Sequence, residues 1–325
     1  MAAGSGMTFF DLASLAKPLV TATLAHAFLD LDADRRWLLG FHDRTEPLTA
    51  RMLLCHASGL PAWRPFTRER LAEQLRRPVD EGAHPLLARR PVGEAHYSDL
   101  NYRLLGELLE MELGLTWAQL GGTSGLTPAP WRELPIEVPP GPDREAWGLA
   151  TDAPFPGPDP SLPHDANARA GMIGHAGFGA RADQLEAFLS RWVAAGWPSR
   201  MAVAASRAAD GTVWGLGLQR VMTGPGRFAG LLDAIPSGVG VHILEDATEA
   251  APPPAPRLEG PPGPPSGWWM HTGFTGPVLF VRPEDGACLA LLCHRRGPDG
   301  GLLDPEALRA RRWRVLEGLR ARLGG

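Results

Sequence analysis

Three short stretches of this chain carry the residue types of one catalytic site, although they lie far apart in the sequence. They are Ser14-Leu-Ala-Lys17, Tyr97-Ser-Asp99 and His271-Thr-Gly273. If they act together, segments from the beginning, the middle and the end of the chain must converge on one cleft. That requirement restricts the fold more than length or composition does.

The first stretch places a hydroxyl and an amine on one side of a helix, because residues three apart share a helix face. A serine alcohol becomes a good nucleophile only when a base removes its proton. Lysine can be that base if its surroundings lower its pKa from about 10.4 towards neutrality. Tyr97 offers a phenol for proton relay, and residues 271–273 are predicted to belong to a strand that lines the site. Taken alone, Ser14 is equally well explained as a helix cap.

Size and charge narrow the class of protein. With 325 residues, 44% of them apolar, the chain can bury a large core as one domain or two intimate subdomains. Its net charge of −4 gives no reason to expect nucleic acid or an anionic membrane as a partner. No run of some 20 apolar residues predicts a membrane span, and the start MAAGSGMTFF does not look like a signal peptide. We expect a cytoplasmic protein; a signal peptide encoded further upstream would place it in the periplasm instead.

The three cysteines form no regular spacing. Cys288 and Cys293 lie five apart in a predicted strand, so their side chains point to opposite faces and cannot easily bond each other. We expect all three, including Cys55, to be free buried thiols, as in a reducing compartment.

Apolar spacing predicts five helices, and the region 126–165, rich in Pro, Gly and Asp, is predicted to form surface loops. The arginines of the last helix, Arg309, Arg311, Arg312 and Arg320, are predicted to form a solvated face. The predicted helices cover residues 14–31, 48–56, 99–113, 181–195 and 305–323.

From about residue 205 onward the pattern changes to strands, predicted within 213–221, 269–281 and 287–293. Residues 251–267 form a proline-rich linker. The predicted fold is α/β (α+β): an antiparallel sheet flanked by helices, built from 1–31 and 205–325, plus a mostly helical subdomain over about 32–200. Residues 1–325 then form one catalytic domain whose active site lies in the cleft between the two parts.

Six stretches, in this order along nearly the whole chain, resemble serine β-lactamase-like hydrolases, the family of class C β-lactamases, D-Ala-D-Ala peptidases and related esterases. The first is Phe10-Asp-Leu-Ala-Ser-Leu-Ala-Lys-Pro18, which resembles the nucleophile segment of that family. Agreement in order and spacing makes the resemblance far more specific than any one motif. The other stretches are 53–61 (LLCHASGLP), 97–106 (YSDLNYRLLG), 164–170 (HDANARA), 174–177 (GHAG) and 271–276 (HTGFTG).

The resemblance implies a set of roles. Ser14 would be the acylated nucleophile, and Lys17 and Tyr97 would share the duties of general base and general acid. The backbone N–H groups of Ser14 and Phe274 would form the oxyanion hole, a contribution of a few kcal/mol in similar enzymes. The resemblance implies no metal and no organic cofactor. It places substrate contacts at Asp99, His271, Thr272 and Gly273.

Two positions depart from the family pattern and bear on the substrate. Asp99 stands where the family often has Asn; its carboxylate either lies close to Lys17 and favours the ammonium, or caps the helix that follows. His271 replaces a lysine, and a neutral imidazole grips a carboxylate less firmly than a permanent cation. Both changes favour a small neutral ester or amide as substrate. The alternatives are a β-lactamase or D-amino-acid peptidase, and a catalytically inactive binding module.

Two other groups of side chains are weaker candidates. His164, Asp165 and His175 suggest a metal site, but they fall in predicted loops without a supporting ligand set, and turn residues are the favoured interpretation. His56 and Ser58 can mimic a catalytic pair, yet HASGLP is typical of a helix end and turn.

The chain begins close to the nucleophile segment. Relatives carry several tens of residues before it, including two strands of the sheet, whereas nine residues precede Phe10 here. The strand at 287–293 lacks polar alternation, as expected of a strand covered on both faces, and without a first strand beside it one edge would be bare. We therefore hypothesise a truncated chain that lacks the first two strands and can self-associate through that sheet edge.

Overall fold

The computed structural model describes residues 9–64, 71–76, 89–114, 165, 174–243, 257, 263–293, 295 and 303–323. Its strands are β1 (Phe9–Asp11), β2 (Gly179–Arg181), β3 (Ser206–Arg207), β4 (Val213–Trp214), β5 (Gln219–Met222), β6 (Val239–Ile243), β7 (Pro265–Thr272), β8 (Val278–Arg282) and β9 (Ala287–Leu292). Its α-helices are α1 (Thr23–Phe28), α2 (Ala50–Leu54), α3 (Leu71–Leu75), α4 (Asp99–Leu113), α5 (Ala182–Ala194), α6 (Trp197–Met201), α7 (Ala229–Leu232) and α8 (Pro305–Leu323).

Seven of these strands form the main sheet, in the order β3-β4-β5-β7-β8-β9-β6, and β1 pairs with β2 separately. All neighbours in the main sheet are antiparallel except β6, which runs parallel to β9. Alternate residues of the central strands enter two different cores. Trp269, Leu279 and Ala290 pack with the nucleophile segment and α4, whereas Trp268 and Phe280 pack with α7 and α8. The predicted α/β sheet flanked by helices is confirmed.

The strand β9 is buried along its whole length, as its unbroken apolar sequence predicts. Its neighbour is β6, whose residues Val239–Ile243 pair in register with Cys288–Leu292. The prediction of a bare edge beside β9 is therefore wrong. The segment between β5 and β7 supplies the covering strand, so the described sheet has no exposed β9 edge for the predicted self-association.

Helix ends agree best with prediction where a local stop signal is present. The helix predicted over 99–113 is α4, and it ends at Gly114, whose φ of 63° is left-handed. The terminal helix α8 also matches its predicted range, and α2 and α5 are shorter than predicted by one or more residues at each end. None of the described helices is both long and apolar enough to cross a membrane. The predicted loops at 126–164 lie outside the described residues.

Other predicted elements are interrupted. The helix predicted over 14–31 consists of a 3₁₀ turn (Ala13–Leu15), a π-helical stretch (Lys17–Ala22) and α1. Pro18 has no N–H to donate, which disfavours a regular α-helix here. The strand predicted over 213–221 is two strands, β4 and β5, because the chain turns at Gly217 with a φ of 133°. The stretch predicted as extended over 269–281 similarly divides into β7 and β8. The linker predicted over 251–267 was wrong at its end, because β7 begins at Pro265 and pairs with β5 there.

The arginines of α8 do not share one solvated face. Arg320 is exposed, but Arg311 and Arg312 are only 6% and 7% exposed. The prediction was wrong for these two residues because tertiary packing encloses the side of α8 on which they lie.

The pairing of β6 with β9 makes a testable prediction. Val239, Val241 and Ile243 pack against the main core, so Val241→Asp should place a carboxylate against apolar side chains and reduce the free energy of unfolding by about 2–4 kcal/mol. Urea unfolding measures the loss, and light scattering should show association as β9 is uncovered. His242→Asp adds the same group on the opposite face of β6 and should cost less. Equal losses in the two variants would contradict the packing of β6 described here.

Candidate active site

The nucleophile candidate Ser14 lies on the tight turn between β1 and the π-helical stretch, and its side chain is partly exposed. The residue before it, Ala13, has a φ of 45°, an unfavourable conformation for a residue with a Cβ. The carboxylate of Asp11 accepts a hydrogen bond from the Ala13 N–H at 2.8 Å, and the Leu12 N–H donates to the Phe178 carbonyl at 2.9 Å. These contacts hold the strained turn that presents Ser14.

The structure brings Ser14, Lys17 and Tyr97 together as predicted from the sequence. Lys17 Nζ lies 2.9 Å from Ser14 Oγ, and the Tyr97 hydroxyl donates to the same oxygen at 3.0 Å. Lys17 is fully buried, and its Nζ also donates to the His175 carbonyl at 2.8 Å. The serine oxygen therefore faces both a base candidate and an acid candidate.

The structure distinguishes between the two predicted roles of Asp99. Its Oδ1 lies 2.7 Å from Lys17 Nζ, whereas Ser98 occupies the N-cap position of α4. Burial is the largest single influence and lowers the pKa of Lys17, but the Asp99 carboxylate and Tyr97 together outweigh burial and raise that pKa above its ordinary value. The ammonium thus donates hydrogen bonds to Ser14 and the His175 carbonyl and forms an ion pair with Asp99. In its resting state Lys17 is a cation.

Tyr97 is a neutral phenol in this setting. Its enclosure raises its pKa above the ordinary value, more than the nearby Lys17 ammonium lowers it. The tyrosine ring packs against His56 and Trp214, with ring centroids 4.7 and 5.6 Å away. This packing fixes the direction in which the hydroxyl points at Ser14.

His271, at the end of β7, is buried and uncharged. Burial, assisted by the nearby Lys17 ammonium, lowers its pKa to about 3. Its ring centroid lies 6.1 Å from that of Tyr97 and 6.2 Å from that of Trp214. Its Nδ1 lies 3.1 Å from the Thr272 carbonyl, and its Nε2 has no hydrogen-bond partner among the described residues. A neutral imidazole therefore stands where the resemblance placed a substrate contact.

The turn that follows β7, residues 273–277, packs against the segment that presents Ser14. A Cβ on Gly273 would lie 3.0 Å from the Leu12 carbonyl, and Thr275 Oγ1 donates to the Asp11 carbonyl at 2.9 Å. The Thr272 and Phe274 side chains are exposed. This packing brings the loops of Ser14 and Phe274 together. That the backbone N–H groups of these two residues form an oxyanion hole stays a prediction.

The weaker candidates have structural roles. His56 Nδ1 accepts from the Ser98 N–H at 3.1 Å and lies 3.2 Å from the Asn101 amide nitrogen, and Ser58 hydrogen-bonds to Asn101. His175 Nε2 lies 2.9 Å from Asp165. The described residues contain no metal-binding cluster of His, Cys, Asp or Glu, and His164 lies outside them.

Sequence reasoning missed two groups that contribute to the site. One is the carbonyl of His175, because a backbone acceptor has no sequence signature. The other is Trp214, whose ring packs against Tyr97 and His271; its strand gave no signal that it faces the site. All three cysteines are free and buried, as predicted.

The model of the β-lactamase family matches residues 5–311, which include every residue of this site. The chain belongs to the β-lactamase family. Residues Ser14, Lys17 and Tyr97 lie within the matched range. No curated protein matches the sequence.

Solved structures support the same fold. A class C β-lactamase has a TM-score of 0.57 at 16% identity, over 97% of this chain and 83% of that one. D-amino acid amidase from Ochrobactrum anthropi SV3, in complex with L-phenylalanine amide, has a TM-score of 0.51 at 18% identity, over 97% of this chain and 84% of that one. SurE with D-Leu has a TM-score of 0.54 at 20% identity, over 98% of this chain; the chain spans only 64% of the SurE chain.

The ion pair between Lys17 and Asp99 predicts a pH dependence. The neutral amine is scarce below the raised pKa of Lys17, so the rate at which a neutral fluorophosphonate modifies Ser14 should rise with pH into the alkaline range. Asp99→Asn leaves burial as the main influence and lowers that pKa, so the rise should move to lower pH. At pH 7 the rate should increase about tenfold for each unit by which the pKa falls.

Glu107→Gln is the matched control for this measurement. Glu107 lies on the same helix and pairs with Arg103, with 2.6 Å between Arg103 Nη2 and Glu107 Oε1. Its removal should leave the pH profile of Ser14 modification unchanged. If Asp99→Asn instead lowered the rate at every pH, Asp99 would be required for the reaction and would not simply hold Lys17 in its charged form.

Proposed function

We propose that this protein hydrolyses small, neutral esters or amides through an acyl-Ser14 intermediate. The observation that carries the proposal is the partly exposed Ser14 Oγ, which receives hydrogen bonds from Lys17 at 2.9 Å and from Tyr97 at 3.0 Å. A serine hydroxyl that is open to solvent, with a buried amine behind it, is arranged to attack a carbonyl carbon.

Acylation begins from the neutral form of Lys17. The amine takes the proton from Ser14 as the serine oxygen bonds to the substrate carbonyl carbon. The N–H groups of Ser14 and Phe274 donate hydrogen bonds to the carbonyl oxygen as negative charge develops on it. Tyr97 gives its proton to the leaving alcohol or amine as the bond to carbon breaks, and the Lys17 ammonium restores that proton to Tyr97. Neutral Lys17 then takes a proton from the water that attacks the acyl carbon, and this proton returns to Ser14 Oγ as the acid leaves.

The neutrality of His271 is the feature that favours a neutral substrate. Its pKa of about 3 means that the imidazole carries no charge at physiological pH. Its Nε2 is enclosed and has no hydrogen-bond partner among the described residues. It offers no charge to compensate the desolvation of a substrate carboxylate.

A β-lactamase or D-amino-acid peptidase activity is the second candidate. The chain belongs to the β-lactamase family, and its fold resembles those of a class C β-lactamase and a D-amino acid amidase. Both activities involve the same acylation step, and they differ in the groups that hold the substrate. Parallel assays with nitrocefin and p-nitrophenyl butyrate distinguish them: faster turnover of the butyrate supports the favoured function.

The hydrolase function predicts covalent chemistry at one residue. A fluorophosphonate probe should add to Ser14, as shown by intact mass and peptide mapping, and Ser14→Ala should abolish the addition. Lys17→Met should slow p-nitrophenyl butyrate turnover by about 10²–10⁴-fold because the proton acceptor is gone. Circular dichroism and unfolding curves would establish that each variant is folded. A folded wild-type protein that is never labelled would instead be a binding module.

The role of His271 can be tested by exchanging its charge. His271→Lys introduces an ammonium at the site and should raise kcat/KM for an ester that carries a carboxylate, relative to its neutral analogue, by about tenfold. His42→Lys makes the same change on an exposed loop, where His42 packs against Trp37 at 5.1 Å between ring centroids. This control should leave the ratio unchanged. An unaltered ratio in His271→Lys would show that this position does not select for charge.

A further inference from the structure

The buried residue Arg312 has no place in the chemistry described so far. It lies in α8, and only 7% of it is exposed. Its Nε donates to the Gly276 carbonyl at 3.0 Å, and its Nη2 lies 2.6 Å from the same oxygen. The same Nη2 is 3.2 Å from the Pro277 carbonyl and 3.4 Å from the Gly273 carbonyl. One guanidinium thus contacts three backbone carbonyls of the 273–277 turn.

The turn is held from its opposite side as well. Thr275 donates to the Asp11 carbonyl, three residues before Ser14. Inside the turn, the Gly273 N–H donates to the Pro277 carbonyl at 2.8 Å and the Gly276 N–H donates to the Gly273 carbonyl at 3.2 Å. The turn therefore lies between the nucleophile segment and α8. Phe274 is at its tip, next to Gly273 and Thr275.

Burying the Arg312 guanidinium costs desolvation free energy, which burial of an apolar side chain would not. Among the described residues, Arg312 forms no ion pair with a carboxylate, and its partners are backbone carbonyls and the side chain of Cys293. An apolar side chain of similar volume would avoid the desolvation of a cation. What the guanidinium supplies in return is direction, because its planar set of donors fixes the carbonyls it binds in one orientation.

We infer that Arg312 is a positioning residue for the oxyanion hole: by fixing the carbonyls of Gly273, Gly276 and Pro277, it orients the peptide whose N–H at Phe274 faces the reacting carbonyl oxygen. Carbonyls that point towards α8 constrain the neighbouring peptide planes of a five-residue turn. The inference rests on the proposed acyl transfer at Ser14. Arg312 itself does not contact the substrate.

The test compares an oxygen ester with the matching thionoester. Sulfur is a weak hydrogen-bond acceptor, so the thionoester gains little from an oxyanion hole, and the ratio of the two kcat/KM values reports how well the hole is formed. In Arg312→Gln, kcat for the oxygen ester should fall by about 10–100-fold with KM nearly unchanged, and the ratio should fall by about tenfold. Arg312→Lys keeps the charge but not the planar donors, and the ratio should fall there too.

Arg309→Gln is the matched control. Arg309 lies one turn earlier on α8, and its guanidinium contacts the rings of Phe228 and Trp313 at 5.9 and 5.8 Å. Its substitution should leave the ratio at the wild-type value. A wild-type ratio in a folded Arg312→Gln or, if that variant does not fold, in Arg312→Lys would overturn the inference while the proposed function stands. A wild-type protein that neither turns over the ester nor reacts with the fluorophosphonate would overturn both.

Discussion

The buried ammonium of Lys17 is the interaction on which the catalytic end of this molecule depends. Removing such a group from water costs several kcal/mol unless each of its hydrogens has an acceptor. The partners of the ammonium belong to three separate segments: Ser14 in the same turn and the His175 carbonyl before β2 accept hydrogen bonds, and Asp99 at the start of α4 supplies the opposite charge. None of these segments can move without leaving a buried charge unsatisfied. Lys17 therefore joins the parts of the chain that form the site.

The same charge influences the other groups around it. It contributes to the low pKa of His271, and it opposes the effect of enclosure on Tyr97. Burial is the main reason that the neighbouring imidazole is neutral, and the cation held by Asp99 adds to this effect, which connects the ion pair to the kind of substrate we propose. A second buried cation, Arg312, lies on the far side of the 273–277 turn and is satisfied by carbonyls. The proposed oxyanion hole lies between these two charges.

Local signals in the sequence account for the elements that were predicted well. The helix α4 ends where Gly114 can adopt a left-handed conformation, and the range of α8 follows from its apolar spacing. The strand β6 was not predicted, because the sequence Val-Gly-Val-His-Ile is short and contains a glycine. Its partner β9 is about fifty residues away and parallel, so no hairpin signal connects the two strands. Two strands so far apart in the sequence pair because the apolar strand β9 has an edge that β6 can cover.

Sequence patterns were enough to predict the residue types of the site, their order along the chain, the burial of β9 and the helices with strong end signals. The packed structure was needed to show that Asp99 pairs with Lys17, that His271 is uncharged, that β6 covers β9 and that Arg312 is enclosed. The first group of properties depends on residues that are close to one another in the sequence. The second depends on burial and on charges contributed by distant segments, since the cost of desolvating a group and the field around it exist only once those segments are packed together.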